Sequence, residues 1–484
     1  MLHKSMLRRS TRAPMAILAL LAVLSLLAAQ CGAPAAPQTV IQTVVVKETV
    51  QVEKEVVITQ EVEKQVLVTP TPAPEAPKPS GELTIWGWPA SDKAFESIIA
   101  GFNEEYPDIE VTWEMIPGMA GGTRDALSTA LAAGEGAPDI SLIEINDIDR
   151  FVLQGGLTDL LQEPYNAGRY QDDFVAYKWE QAMTPDGRLL AFPWDIGPAS
   201  LFYRRDVFEK AGLASDPESV AKLLSTWEGF IETGQKVNDP ANNVFWMDNA
   251  SLIPYIYYAH KNFFDEDYNV AINNPKTLQV LEYAKQAREL GLDAKSTQWT
   301  EEWYSMLGNG QIATVIAGCW FGGFLKSWID PQGAGHWGVV PIPEDPQQNW
   351  GGSFLAITEQ SQNKEAAWAF IEYAMATAQA QNQMFVGVDY FPAYMPAWDN
   401  PLYQEADFYF GGQKTRELWT QVATSPGKIV TTPMDSAAEQ AFKSEVARML
   451  DQGLDPEETL TAAEQAILEQ TAEDRQLVME MLGQ

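Results

Sequence analysis

The sequence predicts an α/β protein of two lobes, preceded by an export segment and a stalk. Three observations carry this. At 484 residues the chain is longer than one hydrophobic core normally serves, and it suits two lobes plus appendages. From Gly81 the pattern runs strand, helix, strand, helix, strand, as in a parallel sheet with helical cover. Ile196-Gly-Pro-Ala199 then sets a flexible and a stiff residue between two apolar runs, marking a turn or crossover.

The elements follow in order. Residues 1–14 are basic, and Met15–Ala29 is an unbroken run of Met, Ala, Ile, Leu, Val and Ser. That run is too short to span a bilayer and long enough for the apolar region of a signal peptide. Leu26-Leu-Ala-Ala-Gln-Cys31-Gly resembles a bacterial lipobox: small residues to be cleaved, then a thiol able to take a diacylglyceryl thioether. Gln30 stands where Gly or Ala is usual. The lipid reading makes 1–30 a lipoprotein signal peptide and holds Cys31 on the outer face of the membrane. The alternative is plain secretion, with Cys31 incidental.

Residues 31–80 read as a stalk. Gln38–Val68 is biased toward Val, Glu, Lys, Gln and Thr, with Val-Glu-Lys at 52–54 and again at 62–64. No second strand is expected for it to pair with, so it reads as extended or weakly coiled. Thr69-Pro-Thr-Pro-Ala-Pro-Glu-Ala-Pro-Lys-Pro79 is a polyproline-type spacer.

Leu83-Thr-Ile-Trp-Gly-Trp88 is a strand ending in aromatics. Ser91 caps a helix with Phe95, Ile98, Ile99 and Phe102 on one face, stopped by Pro107. Ile109, Val111, Trp113 and Met115 alternate as a half-buried strand. Thr123 opens a helix ending near Gly134. Pro138-Asp-Ile-Ser-Leu-Ile-Glu-Ile145 is a doubly buried strand, and Asp147 caps the next helix. Ligands of such sheets sit beyond the carboxyl ends of the strands, here Trp86-Gly-Trp88 and Glu144-Ile-Asn146. Past 194–199 the pattern is more helical. Helices are predicted from Asn274-Pro275 to Gly291, over Trp299–Leu307, Gln362–Gln383, Ser436–Leu450 and Pro456–Ala472. Strands are predicted over Ile312–Ala317 and Trp337–Ile342.

Bulk properties exclude several functions. The formal net charge is −34. Loss of residues 1–30, which hold Lys4, Arg8, Arg9 and Arg12 and no acid, makes the chain more acidic still. Such a surface repels phosphate backbones and anionic lipid, which argues against nucleic-acid binding. The two cysteines, Cys31 and Cys319, build neither a disulfide framework nor a cysteine zinc site. His260 and His336 alone survive signal removal, so histidine-based catalysis or metal binding is thinly supplied. The Gly-rich pieces at Gly118 and Gly351 lack the Gly-Lys-Ser/Thr of a phosphate loop, and no calcium-loop spacing occurs. No metal or cofactor is expected.

The stretch Ala191–Lys210, AFPWDIGPASLFYRRDVFEK, is similar to the signature of bacterial extracellular solute-binding proteins of family 1, the receptors of carbohydrate ABC importers. Pro193, Asp195, Ser200, Leu201, Phe202 and Tyr203 fit. Trp194 stands where a smaller apolar residue is usual, and Arg204 where Asn or Asp is usual. The resemblance runs from about Gly81 to the C-terminus. It implies a periplasmic-binding-protein-like fold of class II type, with the ligand in a cleft between lobes joined by two or three crossovers. It places residues 81–194 plus about 353–400 in lobe 1, and 195–352 plus about 401–484 in lobe 2. Trp350-Gly-Gly-Ser-Phe-Leu-Ala-Ile357 resembles the return crossover, and the C-terminal helices those that pack back on lobe 2. The implied partners are a carbohydrate and the ABC permease, for a monomeric, non-enzymatic protein outside the cytoplasm.

A sugar offers hydroxyls at its edge and an apolar C–H face. Binding it takes aromatic plates for the face and carboxylates or amides for the edge. The 16 tryptophans supply plates. The candidate ligand residues are Trp86, Trp88, Glu144, Asn146, Trp194, Asp195, Trp320, Phe321, Trp350 and Gly351. Gly322-Gly323 and Gly351-Gly352 are expected to let a ligand approach closely. Trp246 with Asp248, and Tyr394 with Trp398, are weaker candidates. Core packing, capping and hinge support are the competing roles for all of these. Tyr394 stands where some relatives carry a basic side chain, which favours a neutral ligand. Two other readings stay open: a secreted glycoside hydrolase using Asp195 and Glu144, and a polyamine receptor of the same fold.

Overall fold

The computed structural model describes residues 41–45, 63–67, 78–89, 91–258, 263–344, 348–424 and 432–483. The signal segment, Cys31, most of the Pro-rich spacer and His260 lie outside these. The chain divides into two compact units, Met1–Pro77 and Lys78–Gln484.

In the first unit β1, Ile41–Val45, pairs antiparallel with β2, Glu63–Leu67, with Ile41 opposite Leu67. The biased segment supplies its own partner strand, and the first run, Ile-Gln-Thr-Val-Val, has the β-branched content that strands favour.

In the second unit β3, Gly81–Gly87, pairs in parallel with β4, Ile109–Met115, and with β5, Ile140–Glu144. Four of the five β5 residues are buried, as its unbroken apolar run predicts. The helix expected from Ser91 is two, Ser91–Glu96 and Ile99–Glu105. At the break the Ser97 and Ile98 amides donate to carbonyls three residues back, and the Ser97 hydroxyl donates to the Ala94 carbonyl. The next helix, Met119–Ala133, begins four residues before Thr123, because Gly118, at φ 95°, turns the chain into it. Asp147 heads the helix Ile148–Gln154 without capping it; its carboxylate accepts from Arg124 at 3.2 Å.

Two later strands complete this sheet. β6, Phe192–Pro193, closes one edge. β12, Ser353–Ile357, inserts antiparallel between β5 and β6, placing Ser353 opposite Glu144. The second sheet has the order β11-β8-β10-β9. Its strands are β8, Ala199–Arg204; β9, Phe245–Met247; β10, Ile312–Gly318; and β11, Trp337–Val340. Every residue of β8, β10 and β11 is buried.

Helices cover both sheets. Asn274 caps Pro275–Glu289 by accepting from the Lys276 and Thr277 amides, a cap worth about 1 kcal/mol. The helix expected from Trp299 is Glu301–Gly308, capped by Thr300. Trp299 lies outside it at φ 67°. The long helix expected over 362–383 is two, Lys364–Met375 and Ala378–Val388, the second capped by Thr377. Near the C-terminus, Asp435–Gln452 packs Phe442 on Tyr258, ring centroids 4.8 Å apart. Its head reaches the first sheet as well. The Ser436 amide and hydroxyl both donate to Asp149 at 2.8 Å, and the hydroxyl also meets the Asn146 carbonyl.

Between the sheets, connecting segments lie side by side. β7, Asp195–Ile196, pairs with β13, Phe391–Pro392. The Trp350 amide donates to the Gly197 carbonyl at 2.7 Å, and the Ala199 amide to the Gln348 carbonyl at 2.8 Å. Asn349 ties the joint together. Its Oδ1 accepts from the Gly197 amide and the Tyr177 hydroxyl, and its Nδ2 donates to the Gly351 carbonyl. A Cβ on Gly197 would lie 1.8 Å from the Trp350 carbonyl oxygen, so only glycine fits.

Candidate ligand-binding site

Of the ten candidate residues, the structure gathers Glu144, Trp320, Trp350 and Gly351 beside the joint. Trp320 follows β10, and its indole Nε1 donates to the Trp350 carbonyl at 2.8 Å. The two rings meet edge to face at 6.2 Å. Trp350 in turn meets Tyr255 edge to face at 5.2 Å. Gly351, at φ 81°, turns the chain past them, and a Cβ on it would lie 3.8 Å from a Glu144 carboxylate oxygen. Glu144 comes from the first sheet and Trp320 from the second, so the cluster draws on both.

Sequence reasoning missed three members. Tyr255 belongs to the helix Leu252–Tyr258. Glu439 and Lys443 belong to Asp435–Gln452 and pair with each other at 2.6 Å. The Lys443 ammonium lies 3.9 Å from the Tyr255 ring centroid, a cation–π contact. Burial, then the Glu439 and Glu144 carboxylates, raises the Tyr255 phenol well above its usual range. Glu439 is 8% exposed, and its Oε2 makes no hydrogen bond among the described residues. The aromatic run Tyr255-Ile-Tyr-Tyr258 was the available signal for the first. Glu439 and Lys443 have the four-residue spacing of an ordinary exposed helix pair, and only the fold turns Glu439 inward while Lys443 stays exposed.

The other candidates take other roles. Trp194 is buried between Phe95, at 4.8 Å, and Tyr390, at 5.2 Å. Trp88, beyond the end of β3, is buried beside Tyr390. Phe321 is fully buried against Phe202. Core packing takes up their apolar surface. Trp86 is half-buried and donates to Glu114 on the neighbouring strand at 2.7 Å. Asn146 gives its amide to Glu144 and its carbonyl to Ser436. Gly323 accommodates the Val388 carbonyl, 2.5 Å from where a Cβ would be, and Gly322 faces Phe410 and Asp389. Both glycines therefore serve helix packing.

Asp195 is 2% exposed. Burial pushes its pKa up to about 6, against the opposing pull of Lys178 and of hydrogen bonds from Ser353. Lys178 is fully buried, its ammonium 3.5 Å from the Phe354 ring centroid. A carboxylate enclosed in this way supports the joint and offers a substrate no surface, which removes the basis for pairing it with Glu144 in glycoside cleavage. Trp246 is fully buried between Phe208 and Phe230. Asp248 accepts from Gln298 and Trp303. Tyr394 and Trp398 pack on Phe174 and Phe391.

Two surface hollows, of about 690 and 810 Å³, share no residue with the cluster. The first lies along Ala378–Val388 and the second between Trp86 and the helix Met119–Ala133. Each draws its walls from one side of the molecule only, whereas the cluster at Trp320 is built from both sheets. No described group of three or more His, Cys, Asp or Glu side chains is placed to hold a metal ion. No described helix is long and apolar enough to cross a membrane.

Two α/β lobes with residues from both converging at a hydrogen-bonded joint define a hinged solute receptor. A family model described as bacterial extracellular solute-binding protein matches residues 97–408. The chain belongs to this family, whose members bind solutes outside the cytoplasm and are not enzymes. It is 25% identical over 409 residues to an arabinooligosaccharide-binding protein of Halalkalibacterium halodurans, covering 80% of this chain and 88% of that one. It is 27% identical over 407 residues to a lactose-binding protein of Rhizobium radiobacter, covering 80% and 92%. Among solved structures it resembles an ABC-transporter-associated binding protein from B. animalis subsp. lactis in complex with beta-1,6-galactobiose. There the TM-score is 0.68 and the identity 23%, over 82% of this chain and 98% of that one. That likeness concerns the fold.

Proposed function

We propose that this protein is the extracytoplasmic receptor of a carbohydrate ABC importer, closing two hinged lobes around a neutral oligosaccharide and delivering it to a membrane permease. Lobe 1 comprises residues 81–194 and about 353–400; lobe 2 comprises 195–352 and about 401–484. The observation that carries the reading is the convergence of Trp320, Trp350 and Tyr255 with Glu144 and Glu439 from both sides of the joint. The rings offer apolar faces to sugar C–H groups, and the carboxylates accept from hydroxyls. Among the described residues no hydrogen bond meets the Glu439 Oε2, and a buried acceptor left in that state costs about 1–3 kcal/mol. A sugar hydroxyl supplies the donor. The names of the relatives, which include arabinooligosaccharide-, lactose- and maltotriose-binding proteins, support the ligand class.

Trp88, Trp194, Asp195 and Phe321 back the site from within the lobes, and Asn146 positions Glu144. Cys31 carries the lipid that holds this monomeric receptor at the outer face of the cytoplasmic membrane. In cells, Cys31→Ser is expected to move the protein from the membrane to the soluble extracellular fraction; unchanged retention refutes the anchor.

Titration with neutral arabino-, galacto- and gluco-oligosaccharides, followed by tryptophan fluorescence and calorimetry, tests the receptor itself. At least one sugar is expected to bind and to be recovered intact. Trp320→Ala should weaken it by about 30-fold, the equivalent of roughly 2 kcal/mol of aromatic burial. Silence toward every sugar, together with a response to a polyamine or peptide, overturns the ligand class. Shortened products overturn the receptor.

A further inference from the structure

Beyond the cluster at the joint, lobe 2 carries a row of aromatic rings running outward to its surface. Trp320, Phe324 and Trp328 recur every four residues along the helical turns of 321–329, with centroid steps of 5.6 and 5.7 Å. Trp299 lies beside them, 5.6 Å from Trp320 and 6.4 Å from Phe324. Tyr304 sets its edge against Trp328 at 4.5 Å. The inner rings Trp320 and Phe324 are buried, whereas Trp299 and Trp328 are 43% and 46% exposed. Among the described residues no other tryptophan is as exposed, and both fall on this one ridge.

Stability alone does not account for them. Burying a ring of this size is favourable by about 2 kcal/mol, yet each of the two keeps nearly half of its surface in water. Trp299 also holds a left-handed backbone at φ 67°, a conformation that costs a non-glycine residue about 1 kcal/mol. The position is nevertheless braced. Thr300 caps the following helix, and the buried Trp303, 5.3 Å behind Trp299, is fixed by its indole bond to Asp248. A rigid aromatic face is thus presented to water next to Trp320. The one lysine of the segment, Lys326, pairs with Asp389 and Asp407, so the ridge suits apolar C–H faces better than anionic groups.

We propose that Trp299 and Trp328 form an outer binding surface for the sugar units of a glycan that overhang the cleft, making the receptor selective for chain length. This rests on the carbohydrate reading above. Continuity decides the occupant: Trp299 rests on Trp320, which is bonded to Trp350 in the cluster itself. A chain leaving that cluster on the Trp320 side meets these two rings next.

The test is calorimetric titration of wild type, Trp299→Ala, Trp328→Ala and the corresponding Tyr variants with linear arabino- and malto-oligosaccharides of two and of six units. Thermal midpoints report folding. In wild type the longer chain is expected to bind more tightly. Each Ala variant should lose about 5- to 30-fold toward the six-unit sugar and less than twofold toward the two-unit sugar, with Tyr restoring most of the loss. Equal losses at both lengths, or none at either, overturn the proposal. Unchanged binding with impaired uptake also overturns it, assigning the ridge to a protein partner. Silence of wild type toward all sugars refutes the carbohydrate reading itself.

Discussion

Asp195 and Asp248 are both fully enclosed carboxylates with pKa values pushed up to about 6, and burial is the largest cause in each. What opposes burial differs: chiefly the Lys178 charge for Asp195, and hydrogen bonds from Gln298, Asn249 and Trp303 for Asp248. The folded value lies above the unfolded one, near 4, so the folded chain holds extra protons between about pH 4 and 6. Stability therefore falls as pH rises through that window, and above it each ionised group costs about 3 kcal/mol. Asp248→Asn is expected to reduce this fall. Urea unfolding at pH 4, 5, 6 and 7 reads the slope directly, and an unchanged slope refutes the assignment. Both aspartates were visible in the sequence as polar residues beside tryptophan. Their enclosure was not, because burial comes from strands and helices distant in the chain.

The joint is the element on which the site depends. Asn349 satisfies the Gly197 amide, the Tyr177 hydroxyl and the Gly351 carbonyl at once. Asn349→Ala strands all three in a buried setting and is expected to cost about 3–5 kcal/mol. Asn274→Ala, which removes one helix cap, should cost only about 1 kcal/mol. Comparable losses in urea unfolding would show that the crossovers are not held together in this way. Gly197 and Pro198 read correctly as a crossover from their type alone. The reason Gly197 is glycine lies in Trp350, whose carbonyl oxygen occupies the place of a side chain. No local pattern links residues so far apart.

At the scale of the molecule, the helix Asp435–Gln452 joins the halves from outside the joint. Its Phe442 packs on Tyr258, while Ser436 bonds Asp149 and the Asn146 carbonyl, just past the first sheet's β5. Contacts made only when the lobes meet favour the closed state and slow ligand escape. Asp149→Ala removes the acceptor and should speed dissociation about tenfold, since hydrogen bonds to a charged group are worth about 1.5–3 kcal/mol. The association rate should change little. Stopped-flow fluorescence with the sugar identified by titration separates the two, and an unaltered release rate sinks the latch. The resemblance led to the expectation that the C-terminal helices pack back on lobe 2; the bonds from Ser436 to Asp149 are a further contact that no local pattern announced.

The sequence alone determined the strand–helix alternation of the first lobe, the crossover at Gly197-Pro198 and the acidic character of the chain. Each is a local matter of periodicity, turn chemistry or composition. Tertiary structure decided how the aromatics are grouped. Trp194 and Phe321 disappear into the cores of the two sheets, while Trp320 meets Trp350, and Trp350 meets Tyr255, across long sequence separations. A ring's chemistry is the same in a core and in a cleft. What distinguishes the two is the set of neighbours that fill the space around it, and only the folded chain supplies those.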